Sequence, residues 1–136
     1  MFIEGAIPYH LIEQLQSGNK RSGAVCSFLG VVRADEHNGN SVESIEFSAH
    51  KGIADEVAKQ IATETVRSYK VSEVHILHST GNVKCGEVCF VVIVVSGHRA
   101  EAFAALPYVV DAVKKRCPIF GKEILSGGGH KWKVNK

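Results

Sequence analysis

The chain has 136 residues, of which 45% are hydrophobic and 22% are charged, and its formal net charge at pH 7 is +2. This length and composition predict one globular domain over residues 1–136 and argue against disordered, collagen-like and low-complexity chains. No apolar run approaches the roughly 20 residues of a membrane span, and the first residues lack the pattern of a signal peptide. We therefore expect a cytoplasmic protein with reduced cysteines.

The first 49 residues predict three strands and one short helix. Phe2–Ile7 is predicted as a short strand, and Pro8 as the first turn of a helix that ends near Gln16. Gly23–Arg33 is rich in β-forming residues and predicts a second strand. The polar segment ADEHNGN then predicts a loop, and Ser41–Ala49 predicts a third strand.

The rest of the chain predicts two long helices and four strands. Apolar residues recur at helical spacing over Ile53–Tyr69, and a second long helix begins near Ser96 and ends at Pro118. Pro107 lies inside the second helix, where we expect a kink or a restart. The strands are expected at Val71–His78, Glu87–Ser96, Ile119–Leu125 and Lys131–Val134, with a turn at TGNVKCG. This order predicts an α+β fold with two main helices.

The last part of the chain is basic, since residues 114–136 contain seven lysines and arginines and one acid. Such a segment predicts binding to an anion, either a nucleic acid or a small phosphorylated substrate. Lys114 is the sharpest candidate, because at helical spacing it lies within roughly 20° of Phe103 on an apolar stripe. Partial burial there would lower its pKa and suit acid–base chemistry. Alternatively, the ammonium reaches water while the stem packs.

Two further cationic positions follow the ends of predicted strands. In Ser96-Gly97-His98-Arg99 a buried strand ends and a helix begins, so backbone N–H groups and two cations could face one anion. The alternative is a helix cap with a solvated arginine. Arg33 ends another hydrophobic strand, which is a frequent place for a substrate-binding cation and also for an ordinary surface arginine.

Metal and nucleophile motifs are weak in this chain. His75-x-x-His78 has a zinc-like spacing, but an offset of three on a strand places the two rings on opposite faces. Cys85 lies in the predicted turn and Cys89 in an apolar run, so the two thiols need not converge. With no G-x-S-x-G motif either, we predict neither a metal site nor a serine nucleophile.

Four segments of the chain, in order, resemble the catalytic large subunit of molybdopterin synthase. They are GAVCSFLGVVR, SVESIEFSAH, TGNVKCGEVCFVVIVVSGHRAEAFAAL and DAVKKRCPIFGKE. The resemblance covers the chain from Gly23 onward. It implies an α/β hammerhead fold with a mixed sheet. It also implies a sulfurtransferase that inserts two sulfurs into cyclic pyranopterin monophosphate, a step of molybdenum cofactor biosynthesis that makes molybdopterin.

The resemblance also implies partners. The sulfur would arrive as a C-terminal Gly-Gly thiocarboxylate on a small ubiquitin-like carrier subunit, whose tail enters the large subunit's pocket. The large subunit would form a central homodimer within a heterotetramer. Neither a metal nor a resident cofactor is implied, because cyclic pyranopterin monophosphate is the substrate. No nucleic acid or membrane partner is expected.

Site residues carry over from the resemblance position by position. Lys114 matches the essential lysine, with a role in proton transfer or polarisation. Arg33, His98 and Arg99 would hold the phosphate and the pterin by charge-assisted hydrogen bonds. Two apolar residues match positions of the pocket wall, Phe28 and Val110.

One position departs from the family pattern. The family usually has two lysines in the P-I-W-K-K-E block, and the first belongs to its active site, but this chain has Gly121 there. Lys122 or Lys131 could supply the missing cation. The family also places a basic residue near the C-terminus that reaches the neighbouring subunit's pocket, for which Lys133 and Lys136 are candidates.

Two other functions stay open on the sequence. Gly121 could mark a degenerate pocket, in which case the chain would bind the carrier as a scaffold without making product. Alternatively, the basic C-terminal segment could belong to a non-enzymatic anion-binding or nucleic-acid-binding module, although the single tryptophan gives little support for base stacking. We favour the enzyme.

Overall fold

The computed structural model describes residues 1–134. In chain order these residues form β1 (Phe2–Glu4), α1 (Tyr9–Gln16), β2 (Ala24–Val31), β3 (Glu36–His37), β4 (Asn40–Ala49), α2 (Lys51–Tyr69), β5 (Glu73–Lys84), β6 (Val88–Ser96), α3 (Arg99–Arg116), β7 (Ile119–Leu125) and β8 (His130–Trp132).

The strands form one mixed sheet in the order β2-β6-β5-β4-β7-β8. Neighbours along this path are antiparallel, whereas β1 pairs in parallel with β5, and the short β3 pairs with β4. The two long helices are α2 and α3, so the predicted α+β class with a mixed sheet and two main helices is confirmed. None of the helices within residues 1–134 is both long and apolar enough to span a membrane.

Strand β6 is buried along its whole length, which explains its unbroken apolar sequence VCFVVIVVS. Because alternate side chains point to opposite faces, the strand feeds two cores. Phe90, Val92 and Val94 belong to the larger core, which also contains the buried residues of α2 and α3. Val91 and its alternate neighbours pack in a smaller core with Ile12 of α1.

Strand β5 is longer than the sequence predicted, because residues 80–84 of the segment TGNVKCG continue the strand, and only Cys85 and Gly86 form the predicted turn. Residues Glu73–His78 pair with β6, and residues 81–84 pair with β4. Gly81 lies where the strand changes partner and has a φ of 78°. Glycine adopts this conformation without strain, and a Cβ here would collide with the carboxylate of Glu4. The glycine that suggested a turn therefore allows a strand to bend.

Helix α3 buries most of the predicted apolar stripe, since Val113 and Cys117 are buried and Leu106 and Val110 pack against the larger core. Its buried residues are mainly small, namely Ala102, Ala105, Val109, Ala112 and Val113. Phe103 is 62% exposed, so the predicted stripe is wrong at this position. Alanines allow a helix to approach its neighbours closely, and Ala54 and Ala58 of α2 belong to the same core. The helix runs continuously through Pro107 without a restart and ends before Pro118, as predicted.

Candidate functional site

A cleft of about 980 Å³ lies beside the C-terminal end of α3, the start of β7 and the end of β8. Residues of β2, β4, β5 and β6 form its floor and one side, and the β7–β8 hairpin forms the other. Four basic residues line it, namely Arg33, Lys114, Lys131 and Lys133. Two acidic residues, Asp35 and Glu123, also line it, so the basic side chains are in excess.

Lys114 projects from the last turn of α3 into this cleft. Its ammonium Nζ lies 5.8 Å from the centroid of the Phe90 ring, within range of a cation–π contact. The side chain is half-buried, and burial lowers the pKa of Lys114, with the charge of Lys133 lowering it further. The sequence predicted this lowered pKa, but its cause is the cleft floor and not a stripe shared with Phe103.

An aromatic wall stands beside Lys114. The rings of Phe28 and Phe90 meet edge to face, with centroids 5.6 Å apart, so Phe28 lines the cleft as predicted. His78 lies between Phe47 and Phe90, with ring centroids 5.0 Å and 5.3 Å away. Such a wall suits a flat heterocycle, because aromatic rings pack face to face or edge to face on one another.

His78 is the buried titratable group of this wall. Burial lowers the pKa of His78 to about 4, so the ring is neutral at pH 7. Its Nδ1 lies 2.8 Å from the carbonyl oxygen of Ser79, which identifies Nδ1 as the protonated nitrogen. His75-x-x-His78 has the spacing of a zinc site, but the structure places His78 in the cleft wall, and His75 Nε2 lies separately 2.9 Å from Glu73 Oε1.

Both acidic residues of the cleft have partners. Asp35 Oδ1 lies 2.6 Å from Arg33 Nε, and the Arg33 guanidinium lowers the pKa of Asp35. Glu123 is buried and its Oε1 lies 3.2 Å from His37 Nε2. Because these carboxylates are already engaged, the lysines dominate the cleft's potential, and the site fits an anion better than a cation. Within residues 1–134 no group of three or more His, Cys, Asp or Glu side chains could hold a metal ion.

Three predicted site residues lie outside the cleft of this chain. His98 and Arg99 stand exposed at the start of α3, about 24 Å along the helix from Lys114 at 1.5 Å per residue. One chain therefore does not bring Arg33, His98, Arg99 and Lys114 around one anion. Val110 packs against the larger core and does not line the cleft.

The predicted basic residues near the C-terminus have different positions. Lys131 lines the cleft, and so does Lys133. Lys122 does not line it, although its neighbours Gly121 and Glu123 do, because successive residues of a strand point to opposite faces. Lys136 lies outside the described residues.

Several cleft residues were not singled out for this site by the sequence analysis. They are Asp35, His37, Phe47, His78, Cys89, Phe90, Phe120 and Trp132. They come from six separate strands and one loop, so no local motif joins them. Phe28 pairs across the ladder with Val92, which lies two residues after Phe90 on the same face of β6. The contact between the two phenylalanine rings therefore depends on strand register.

Comparison with known families identifies the family of this chain. The model of the family described as "MoaE protein" matches residues 5–116, which is most of the chain. The chain belongs to the MoaE protein family. The match to the MoaE family ends with the last residue of α3, so it includes Lys114, whereas the β7–β8 hairpin lies beyond it.

Relatives and solved structures agree with membership of the MoaE family. The chain is 33% identical over 116 residues to the molybdopterin synthase catalytic subunit of Caulobacter vibrioides, covering 85% of this chain and 75% of the relative. It is 33% identical over 117 residues to that of Dictyostelium discoideum, covering 84% and 73%. The crystal structure of molybdopterin synthase from Staphylococcus aureus superimposes with a TM-score of 0.88 and 27% identity, over 98% of this chain and 96% of that one.

A second solved structure shares the MoaE fold. It is a complex of subunits 1 and 2 of the molybdopterin-converting factor from Helicobacter pylori, with a TM-score of 0.81 and 20% identity, covering 99% of this chain and 90% of that chain. Together the comparisons confirm the family resemblance and the fold that the sequence motifs predicted.

Proposed function

We propose that this chain is the catalytic subunit of a molybdopterin synthase. It would transfer two sulfurs to cyclic pyranopterin monophosphate, one from the C-terminal thiocarboxylate of each of two small carrier proteins. The observation that carries the proposal is the half-buried Lys114, held against Phe90 in a cleft with an excess of cations. Its relatives carry the name molybdopterin synthase catalytic subunit.

The cleft offers a place for each part of the substrate. The phosphate would bind among the lysines by charge-assisted hydrogen bonds, which are stronger than neutral ones. The pterin would pack on the wall of Phe28, Phe90 and His78. Because His78 is neutral at pH 7, it adds no charge to the cleft and leaves Lys114 as the group that exchanges a proton there.

Lys114 would act while the thiocarboxylate sulfur attacks a carbon of the precursor, forming a C–S bond as a C–O bond of the precursor breaks. Water would then attack the resulting thioester, so that its carbonyl–sulfur bond breaks, the carrier leaves as a carboxylate and the sulfur stays on the precursor. An ammonium of lowered pKa can donate a proton to a developing anion and accept one back in a later step. It would also stabilise negative charge on the carrier's carbonyl oxygen. Cys89 lines the same cleft, but burial raises the pKa of its thiol, so this cysteine stays protonated and is a poor nucleophile.

The carrier's tail would enter beside the β7–β8 hairpin. Phe120 and Trp132 line the cleft and are 48% and 58% exposed, which leaves apolar surface at its mouth. Exposed apolar side chains around a cleft are typical of a protein-binding surface. The Helicobacter pylori structure is itself a complex of two subunits.

A second copy of the chain would complete the site. His98 and Arg99 are exposed and distant from Lys114 within one chain, so they can serve the reaction by entering the cleft of a neighbour. Within residues 1–134, β2 is an edge strand whose side chains Val25, Leu29 and Val31 are exposed, which leaves surface for a homodimer contact.

The proposed steps use side chains, the substrate and the carrier, without a resident cofactor. The cations of the cleft attract phosphate and repel metal ions, so we expect a chelator to leave the rate unchanged. We also infer that the protein works in the cytoplasm, because none of its cysteines is paired in a disulfide, which suits a reducing compartment.

A single-turnover assay tests the proposal. The purified chain is mixed with thiocarboxylated carrier and cyclic pyranopterin monophosphate, and molybdopterin is measured. Product supports the synthase, whereas carrier binding without product favours the scaffold hypothesis. If neither occurs and the chain binds RNA with a steep salt dependence, the nucleic-acid hypothesis replaces it.

A further inference from the structure

Lys133 lies directly across the β7–β8 ladder from Gly121. Glu123 pairs with Lys131 in this antiparallel ladder, so the next position inside the cleft pairs Gly121 with Lys133. The Lys133 backbone N–H donates a 2.8 Å hydrogen bond to the Gly121 carbonyl oxygen, which fixes this register. Both residues line the cleft.

Gly121 is buried on β7, where its missing side chain leaves the neighbouring side chains close together. A Cβ at this position would lie 3.1 Å from Ile45 Cγ2 and 3.2 Å from Phe47 Cε1, closer than ordinary contact. It would also lie 3.5 Å from the Cβ of Lys133. A side chain on Gly121 and the side chain of Lys133 would therefore start from adjacent points and enter the same part of the cleft.

The charge of Lys133 affects the pKa of three other groups that line the cleft. It lowers the pKa of Lys114, after the larger effect of burial. It also lowers the pKa of His78, again after burial, and opposes the effect of burial on the thiol of Cys89. Lys133 and Lys114 thus act on the same small volume, although they come from separate elements.

We propose that Lys133 is a substrate-binding residue, whose ammonium and that of Lys114 bind the same anionic group in the cleft. The family pattern has a lysine where this chain has Gly121, and Lys133 would supply that cation from the end of the facing strand instead. This assignment rests on the function proposed above. Lys122 points away from the cleft, and Lys131 faces Glu123 across the ladder. Lys133 is the lysine whose position matches Gly121.

The first test compares Lys133→Gln, Lys133→Arg and the matched control Lys115→Gln. Lys115 is exposed on α3 and does not line the cleft. Product is measured in single turnover at low and at saturating cyclic pyranopterin monophosphate. Loss of one charge-assisted contact should slow Lys133→Gln about 10- to 100-fold at low precursor and less at saturation. Lys133→Arg should stay within about threefold, and Lys115→Gln should match the wild type.

The second test exchanges the two positions. Lys133→Gly combined with Gly121→Lys moves the side chain back to β7, and its thermal unfolding shows whether it folds. Recovery of product well above Lys133→Gln supports the proposal. A folded double variant as slow as Lys133→Gln overturns the equivalence of the two positions. If the double variant does not fold, the difference between Lys133→Gln and Lys133→Arg decides, and equal rates for both overturn the proposal.

A binding experiment separates this proposal from the function it rests on. Calorimetry measures cyclic pyranopterin monophosphate binding to the wild type and to Lys133→Gln without carrier. If the wild type makes no product but binds the compound at least tenfold more tightly than Lys133→Gln does, the synthase fails and the role of Lys133 stands. Equal affinity of the two proteins overturns the role of Lys133, whatever the turnover. A wild type that neither binds nor reacts overturns both.

Discussion

The two ends of helix α3 both carry cations, but their surroundings differ. At the C-terminal end Lys114 is half-buried against Phe90, and its pKa is lowered. At the N-terminal end His98 and Arg99 are exposed to solvent, and no residue of the cleft is among their neighbours in sequence. The difference between the two ends is burial, which is the main cause of the lowered pKa of Lys114. Within one chain, the C-terminal end of α3 is enclosed by the cleft and the N-terminal end is open to solvent.

The largest expected effect is at the enclosed end. Lys114→Gln should slow molybdopterin formation about 100- to 10,000-fold, the range for loss of a general acid–base group. Carrier binding should persist, because the apolar mouth of the cleft is unchanged. Single-turnover product and carrier titration measure the two effects, with Lys115→Gln as the control. Turnover within tenfold of the wild type would remove Lys114 from the mechanism.

The exposed end gives the next effect, and it requires two chains. His98→Ala combined with Arg99→Ala should slow product formation about 100-fold, because two charge-assisted contacts are lost. If these residues serve the neighbouring chain, mixing this variant with Lys114→Gln should restore activity, since each mixed dimer then has one intact site. The mixed sample is measured after subunit exchange. If verified mixed dimers recover no activity, His98 and Arg99 do not serve the cleft of the neighbouring chain.

Beneath the enclosed end, His78 makes the fold sensitive to acid. Its pKa is about 4 in the folded chain and 6.5 in the unfolded chain, so the unfolded chain binds the proton first. Stability therefore falls as the pH drops from 6.5 towards 4, and from pH 7 to pH 5 the loss is about 2 kcal/mol. Urea unfolding of the wild type and His78→Phe over this range measures the difference. Parallel pH profiles would contradict a buried neutral ring.

The smallest effect is at the last residue of α3, beside the cleft. Arg116 donates hydrogen bonds to Glu64 of α2, with Nη1 2.9 Å from Oε2. Both side chains are partly exposed, so Arg116→Gln should reduce the free energy of unfolding by about 1 kcal/mol or less. Product formation should be unchanged. A large loss of activity with intact stability would show that the reaction site extends past Lys114.

The sequence predicted secondary structure well where a pattern is local. Strand β7 has the predicted bounds, and α1 ends at Gln16 as expected. The long β5 was missed because Gly81 suggested a turn, whereas its positive φ serves a change of strand partner. A glycine with positive φ can serve either a turn or a bend in a strand. Which of the two it serves depends on the neighbouring strands, and these are not visible in the local sequence.

The site was predictable in its main residues and not in its arrangement. The motifs identified Lys114, Arg33 and Phe28, and all three line the cleft. The predicted helix from Ser96 to Pro118 already separated His98 from Lys114, but the motifs could not show whose cleft His98 serves, since a family motif does not record which chain supplies a residue. Lys133 also escaped assignment to this cleft, because its position opposite Gly121 depends on the register of a hairpin.

The cleft joins the most protected strand of the sheet to one of the least protected. β6 is buried along its length, so its amides should exchange with solvent through global unfolding. β8 has three exposed residues that pair with β7, so its amides should exchange through local opening. A ligand bound between Lys114 and the end of β8 would link the two, so deuterium uptake in residues 130–133 should slow when the cleft is filled. Amide exchange in the β7–β8 hairpin would thus indicate whether the cleft is occupied, and it would do so faster than exchange in the buried strand β6.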